Sequence, residues 1–310
     1  MLIINKATHG ENYFDDVTAD FIYENNILRI DKLNLSNKND SWLNISGSLN
    51  MDYDKIKNNQ TPFSGDGKLS FDLALNNVNL SNFKNINPFK EDIGGIVTGN
   101  VKVSNTFLQP EAEFDLNLKN GWYDRITFTE LDGDGIYKNL KLELKGLKAS
   151  TENGAYSAYG QIPLNLAMWK IKGRKLEGPL TINVTGQSRD LHFLSPYFPE
   201  IDKITGDFDM EFALSGTFKT PIRDARIIIK NGSVITNLTQ NSPTNIVAEL
   251  VIEKNMGRII SMSGEMKGKK KGFMDKVFNK TAGLFSGLGG IFGRGEETGN
   301  PRHFVIEGEI

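Results

Sequence analysis

The chain has 310 residues, with 36 Lys and Arg against 38 Asp and Glu, a formal net charge of -2 and no cysteine. This balance lacks the basic excess of a phosphate-binding surface, so nucleic acid is not an expected partner; the missing thiols exclude disulfides, thiolate metal sites and a cysteine nucleophile. A hydrophobic content of 38% is too low for a polytopic helical membrane protein and, at this net charge, too high for disorder.

No run approaches the roughly 18 apolar residues of a spanning helix, and the opening Met1-Leu2-Ile3-Ile4-Asn5-Lys6 turns polar too soon for a signal peptide. The dominant signal is strict alternation, which in an extended chain sends every second side chain to one face. Leu69, Phe71, Leu73 and Leu75 alternate with Ser70, Asp72, Ala74 and Asn76. Ala112, Phe114, Leu116 and Leu118 alternate with Glu113, Asp115, Asn117 and Lys119, and Phe208, Met210, Phe212 and Leu214 stand between Asp207, Asp209, Glu211 and Ala213. One greasy face and one wet face is the pattern of antiparallel sheet. Asn76-Asn77, Asn120-Gly121, Asp132-Gly133, Asn153-Gly154 and Asn231-Gly232 read as tight turns between strands, because their residues tolerate positive φ. Before about residue 268 only Leu80 to Asn87 and Leu191 to Phe198 read as short helical turns.

An internal repeat underlies this pattern. Ser104-Asn105-Thr106-Phe107-Leu108-Gln109-Pro110 recurs as Ser215-Gly216-Thr217-Phe218-Lys219-Thr220-Pro221, and Lys119-Asn120-Gly121 recurs as Lys230-Asn231-Gly232, each 111 residues on. Phe114, Leu116 and Leu118 match Ala225, Ile227 and Ile229 in phase. A weaker echo relates Ile22-Tyr23-Glu24-Asn25 to Ile136-Tyr137-Lys138-Asn139, and Trp42 to Gly47 to Tyr156 to Gly160 and Ile259 to Gly264. The expected organisation is a partial first repeat over 1–94, a second over 95–204, a partial third over 205–266, a basic insertion over 267–300 and a terminal strand over 301–310. In such arrays each unit covers its neighbour.

The insertion carries Lys267, Lys269, Lys270, Lys271, Lys276, Lys280 and Arg294 against Asp275. Met274, Phe278, Thr281, Phe285, Leu288 and Phe292 fall at helical steps, while Gly283, Gly287, Gly289, Gly290 and Gly293 each cost a helix about 1 kcal/mol relative to alanine. This predicts a helix formed on contact. Lys269, Lys270, Lys271, Phe278, Phe285 and Phe292 are the candidate contacts with an anionic membrane surface, the alternative being a flexible surface insertion. The chain returns to strand at His303 to Glu307 and ends at Ile310 without a visible cap, as expected of a fragment.

Catalytic motifs are weak throughout. His9, His192 and His303 stand far apart, and His192, near Asp190 and Ser195, lacks a nucleophile elbow. Asp132-Gly133-Asp134-Gly135, with Glu143 at the twelfth position, begins like a calcium loop but places Tyr137 where the sixth-position glycine belongs, and reads better as a turn. Asp15-Asp16 and the carboxylates of Asp207, Asp209 and Glu211 read as a solvated strand face, and Gly94-Gly95 and Gly287-Leu288-Gly289-Gly290 lack the lysine and context of a phosphate loop. No enzyme, metal site or cofactor is expected. What remains is the apolar face, either the core of a sandwich or an open groove; periodicity leaves both open.

The stretch from Gly178 to Val234 resembles the repeat of the TamB family, within the AsmA-like superfamily. It carries Leu191-x2-Leu194-x-Pro196, then Thr205-Gly206, alternating apolar residues, Ser215-Gly216-Thr217, Pro221 and Asn231-Gly232. A weaker copy runs from Gly95 to Tyr123 with Asn105 in place of the central glycine, and the resemblance covers about residues 10–266. It implies an elongated, curled antiparallel β-sheet with an apolar interior, in a periplasmic protein anchored in the inner membrane. The implied work is phospholipid transport in outer-membrane biogenesis, with an outer-membrane β-barrel protein as a partner. The amino-terminal anchor is not in this sequence. The residues aimed into such a groove are Leu69, Phe71, Leu73, Val101, Val103, Phe114, Leu116, Leu118, Phe208, Met210, Phe212, Leu214, Ile227 and Ile229. The competing reading is a β-sandwich or solenoid adhesin that binds a surface ligand through its polar face.

Overall fold

The structure, a computed structural model, describes residues 2–9, 12–37, 41–81, 93–123, 126–168, 171, 173–190, 201–236, 243–266 and 303–309. Its strands are β1 (Leu2–His9), β2 (Asn12–Glu24), β3 (Ile27–Asn37), β4 (Ser41–Asn50), β5 (Lys68–Asn79), β6 (Ile93–Thr106), β7 (Pro110–Tyr123) and β8 (Ile126–Lys138), with one short helix, α1 (Tyr53–Lys57), between β4 and β5. They continue as β9 (Lys141–Ser150), β10 (Gly154–Pro163), β11 (Thr181–Asp190), β12 (Ile201–Gly216), β13 (Pro221–Thr236), β14 (Pro243–Glu253), β15 (Met256–Met266) and β16 (His303–Glu309). Each strand pairs with its neighbours in sequence, in order from β1 to β16, and the antiparallel sheet is not closed. The alternating sequence thus yields the all-β, antiparallel class it leads one to expect. The chain divides into two units, one of 1–149 with 159–179 and one of 150–158 with 180–310.

In the first unit, register carries apolar positions from strand to strand in rows. One row runs Ala19, Leu33, Ile45, Leu73, Val101, Phe114; the next runs Val17, Leu35, Leu43, Leu75, Gly99, Leu116. Leu43, Val78 and Val97 are the buried centre, with Leu35, Ile45, Leu73, Leu75, Leu116 and Leu118 packed against them. Leu69 of β5 is 3% exposed.

Bulges correct three of the five expected turns, and continuous strand a fourth. Asn77 has φ 52° inside β5, where the register shifts between Leu75 and Val78. Asn120 (φ 49°) lies inside β7, Asn231 (φ 54°) inside β13, and Asp132-Gly133 in unbroken β8. Positive φ serves a bulge as well as a hairpin, so the residue type alone does not separate them. Asn153-Gly154 does lie at the β9–β10 connection, while among the described residues the two-residue turns with both residues at positive φ are Asn25-Asn26, Asn139-Leu140 and Lys254-Asn255.

The repeat reappears pair for pair. Gly94↔Trp122, Val97↔Leu118, Val101↔Phe114 and Asn105↔Pro110 in β6–β7 become Thr205↔Ser233, Phe208↔Ile229, Phe212↔Ala225 and Gly216↔Pro221 in β12–β13. Asn105 adopts φ 82° where its counterpart Gly216 has φ 87°, so asparagine supplies the left-handed backbone that glycine supplies in the other copy. The weaker echo is structural too. The Tyr23 hydroxyl contacts the Met51 carbonyl at 3.1 Å and accepts from the Tyr53 N–H at 3.2 Å. Tyr137 donates to the Leu164 carbonyl at 3.2 Å and accepts from the Leu166 N–H at 2.9 Å, clasping the connection after β10 in the same way.

In the second unit, Val184, Phe212 and Ala225 form one row and Met210, Ile227, Leu250 and Ile259 another. Phe208, Ile246, Ala248 and Ile259 are buried. Asp52 caps α1 by accepting from the Asp54 and Lys55 N–H groups, a helix start not expected from periodicity because only five residues follow. The expected helical turn at Leu191 to Phe198, most of that at Leu80 to Asn87, and the basic insertion lie outside the described residues.

Candidate functional site

The features with the strongest claim to function are the apolar faces of the two units, each built by period-two alternation and strand register. Leu69, Phe71 and Leu73 of β5 share a face with Val101 and Val103 of β6, which continues into Phe114, Leu116 and Leu118 of β7. Phe208, Met210, Phe212 and Leu214 of β12 share the corresponding face of the second unit with Ile227 and Ile229 of β13. Of these fourteen, Leu69 and Phe208 are buried and the other twelve are half-buried. That intermediate state follows from the architecture: among the described residues every named strand belongs to the sheet, so no second sheet seals either face.

Aromatic rings smooth the first unit's face. A Cβ at Gly135 would meet the Phe114 ring at 2.7 Å, so Phe114 lies across β8, and Phe71 lies similarly over Gly47. The residues not anticipated in this face are chiefly Leu33, Leu35, Leu43, Ile45, Val78 and Val97. Leu43 and Ile45 alternate visibly with Asn44 and Ser46, whereas Val78 is out of phase with Leu75 because the Asn77 bulge inserts a residue.

The opposite face is polar and locally paired. Asn117 Nδ2 donates to Glu130 at 2.8 Å and Asp132 at 2.7 Å, Lys138 meets Glu111 at 3.1 Å, and Arg226 meets Glu249 at 2.9 Å. The carboxylates of Asp207 and Glu211 fall opposite Lys230 and Arg226 in the ladder, and Asp207 accepts from Asn231 Nδ2 at 2.9 Å. A cavity of about 320 Å³ on β3–β6 is bordered by Asp31, Lys32, Asp72 and Lys102 together with the apolar residues Ile45, Leu73 and Val101. Among the described residues no three His, Asp or Glu side chains are grouped to hold a metal ion, and no helix is long and apolar enough to cross a membrane. Lys269, Lys270, Lys271, Phe278, Phe285 and Phe292, with His192, lie outside the described residues.

No protein-family model, curated protein or solved structure matches the chain.

Proposed function

We propose that the apolar faces bind phospholipid acyl chains, and that the chain acts as a segment of a TamB-like lipid-transfer protein of the periplasm. One observation carries the reading: in each unit a single-layer sheet keeps one face apolar row after row, half-buried and, among the described residues, without a second sheet over it. The apolar run from Leu69 to Leu75 is about 20 Å long at about 3.3 Å per residue, longer than the roughly 15 Å that one leaflet contributes to a hydrocarbon core. Each methylene that leaves water for such a face contributes about 0.8 kcal/mol.

The attraction is non-directional, so a bound chain moves along the face with small barriers and no catalytic group is required. Headgroups stay at the wet ends of the strands. An anionic membrane surface and an outer-membrane β-barrel protein are the partners this reading proposes, and outer-membrane biogenesis is its biological setting.

The test replaces Leu116 and Phe212 together by Asp. Retention of a fluorescent phospholipid is expected to fall to background, with the far-UV circular dichroism of a β-sheet preserved. Unchanged retention in a folded variant contradicts the proposal and favours a ligand on the polar face, as in an adhesin.

A further inference from the structure

The two tyrosine clasps of the first unit differ in one respect that points to a ligand. Tyr137 is 2% exposed, covered by the segment it holds, whereas Tyr23 is 37% exposed and Tyr53, at the position Leu166 takes in the other clasp, is 47% exposed. Their rings stand 5.9 Å apart at 49°, and Lys57 Nζ sits 4.9 Å from the Tyr53 ring centre. That ring therefore already accepts a cation. Lys57 also pairs with Asp54 at 3.3 Å, and both side chains are well exposed.

Tyr23 pairs with Leu28, Leu28 with Leu49, and Leu49 with buried Leu69, so the aromatic pair ends an apolar row of the sheet face. Asp52 and Asp54 offset Lys55 and Lys57, leaving this corner neutral and mixed in sign. A purely anionic headgroup gains little there, whereas one carrying both signs is matched.

We propose that Tyr23, Tyr53, Asp54 and Lys57 form a headgroup site for a zwitterionic phospholipid, a refinement that rests on the acyl-chain reading above. The ligand's ammonium takes the Tyr53 ring face and the Asp54 carboxylate in place of Lys57. The released Lys57 turns to the phosphate, so one intramolecular ion pair is exchanged for two with the ligand.

The test titrates the full chain with monomeric dihexanoyl-phosphatidylcholine, -phosphatidylethanolamine and -phosphatidylglycerol, and with free phosphocholine, by calorimetry. The two zwitterionic lipids are expected to bind about two- to fivefold more tightly than phosphatidylglycerol, and free phosphocholine far more weakly than either. Tyr53→Leu should erase the preference, and Tyr53→Phe, which keeps the ring, should retain it. Equal binding of the three lipids, or a preference that survives Tyr53→Leu, overturns the headgroup site and leaves the acyl-chain reading standing. Binding of none of them overturns both, whereas phosphocholine binding as tightly as the lipids overturns the acyl-chain reading and, with it, a phospholipid as the ligand of this site.

Discussion

Replacing Gly206 by alanine probes the close approach that both repeats share. Gly206 has φ 147°, and an added Cβ would lie 2.8 Å from Gly232 Cα and 3.1 Å from the Lys230 carbonyl oxygen. Its counterpart Gly95 has φ 125°, with Gly121 Cα at 2.7 Å from the same imagined atom. Carbon atoms prefer about 3.5–4.0 Å, so the strands must part by most of an ångström, and the obstacle is backbone that cannot swing aside. Overpacking costs about 1–3 kcal/mol, and a left-handed conformation forced on alanine about 1–3 kcal/mol more. A loss near 4 kcal/mol, with a urea slope of about 2 kcal/mol per molar, lowers the unfolding midpoint by about 2 M. Urea unfolding followed by circular dichroism measures this. Gly257→Ala in the same unit is the control, since nothing lies within 4 Å of its added Cβ, and it should change stability by less than about 0.5 kcal/mol. If Gly206→Ala and Gly257→Ala unfold alike, the glycine-to-glycine contact and the repeat argument built on it are wrong.

Three further outcomes are expected. Asn105→Gly should be neutral or stabilising by up to about 1 kcal/mol in urea unfolding, because the site holds φ 82°, whereas Asn105→Val should destabilise by about 1–3 kcal/mol. Tyr137→Phe removes the partner of both the Leu164 carbonyl and the Leu166 N–H; a loss of about 1–3 kcal/mol and faster hydrogen exchange at Leu166 should follow. A double-mutant cycle on Arg226 and Glu249, an ion pair with side chains 55% and 31% exposed, should give a coupling below about 1 kcal/mol that shrinks with added salt.

Alternation made the strands legible because a half-exposed sheet face imposes a period of two on the sequence. The same pattern placed Phe114, Leu116, Phe212 and Leu214 on their faces, since no bulge interrupts β7 or β12 between them. Where a bulge intervenes the phase slips, and this hid Val78 of the buried centre; Val97 is in phase with Val101 and Val103, but Gly99 interrupts the apolar run between them. Asn120-Gly121 and Asn231-Gly232 looked like hairpin turns because a bulge and a mirror-type turn draw on the same left-handed residues. Strand length separates the two, and β7 at 14 residues and β13 at 16 run far beyond the usual 5–6. The tyrosine clasps were half visible: the echo of Ile22-Tyr23 in Ile136-Tyr137 was in the sequence. Their partners were not, because backbone groups at Met51 and Leu164 carry no residue signature.

Whether an apolar sheet face holds lipid is decided by mass spectrometry of organic extracts from the intact chain purified without detergent. Phospholipid is expected at one or more molecules per chain, falling to background when Leu116 and Phe212 are both replaced by Asp. A folded, monomeric parent that yields no phospholipid would contradict the proposal.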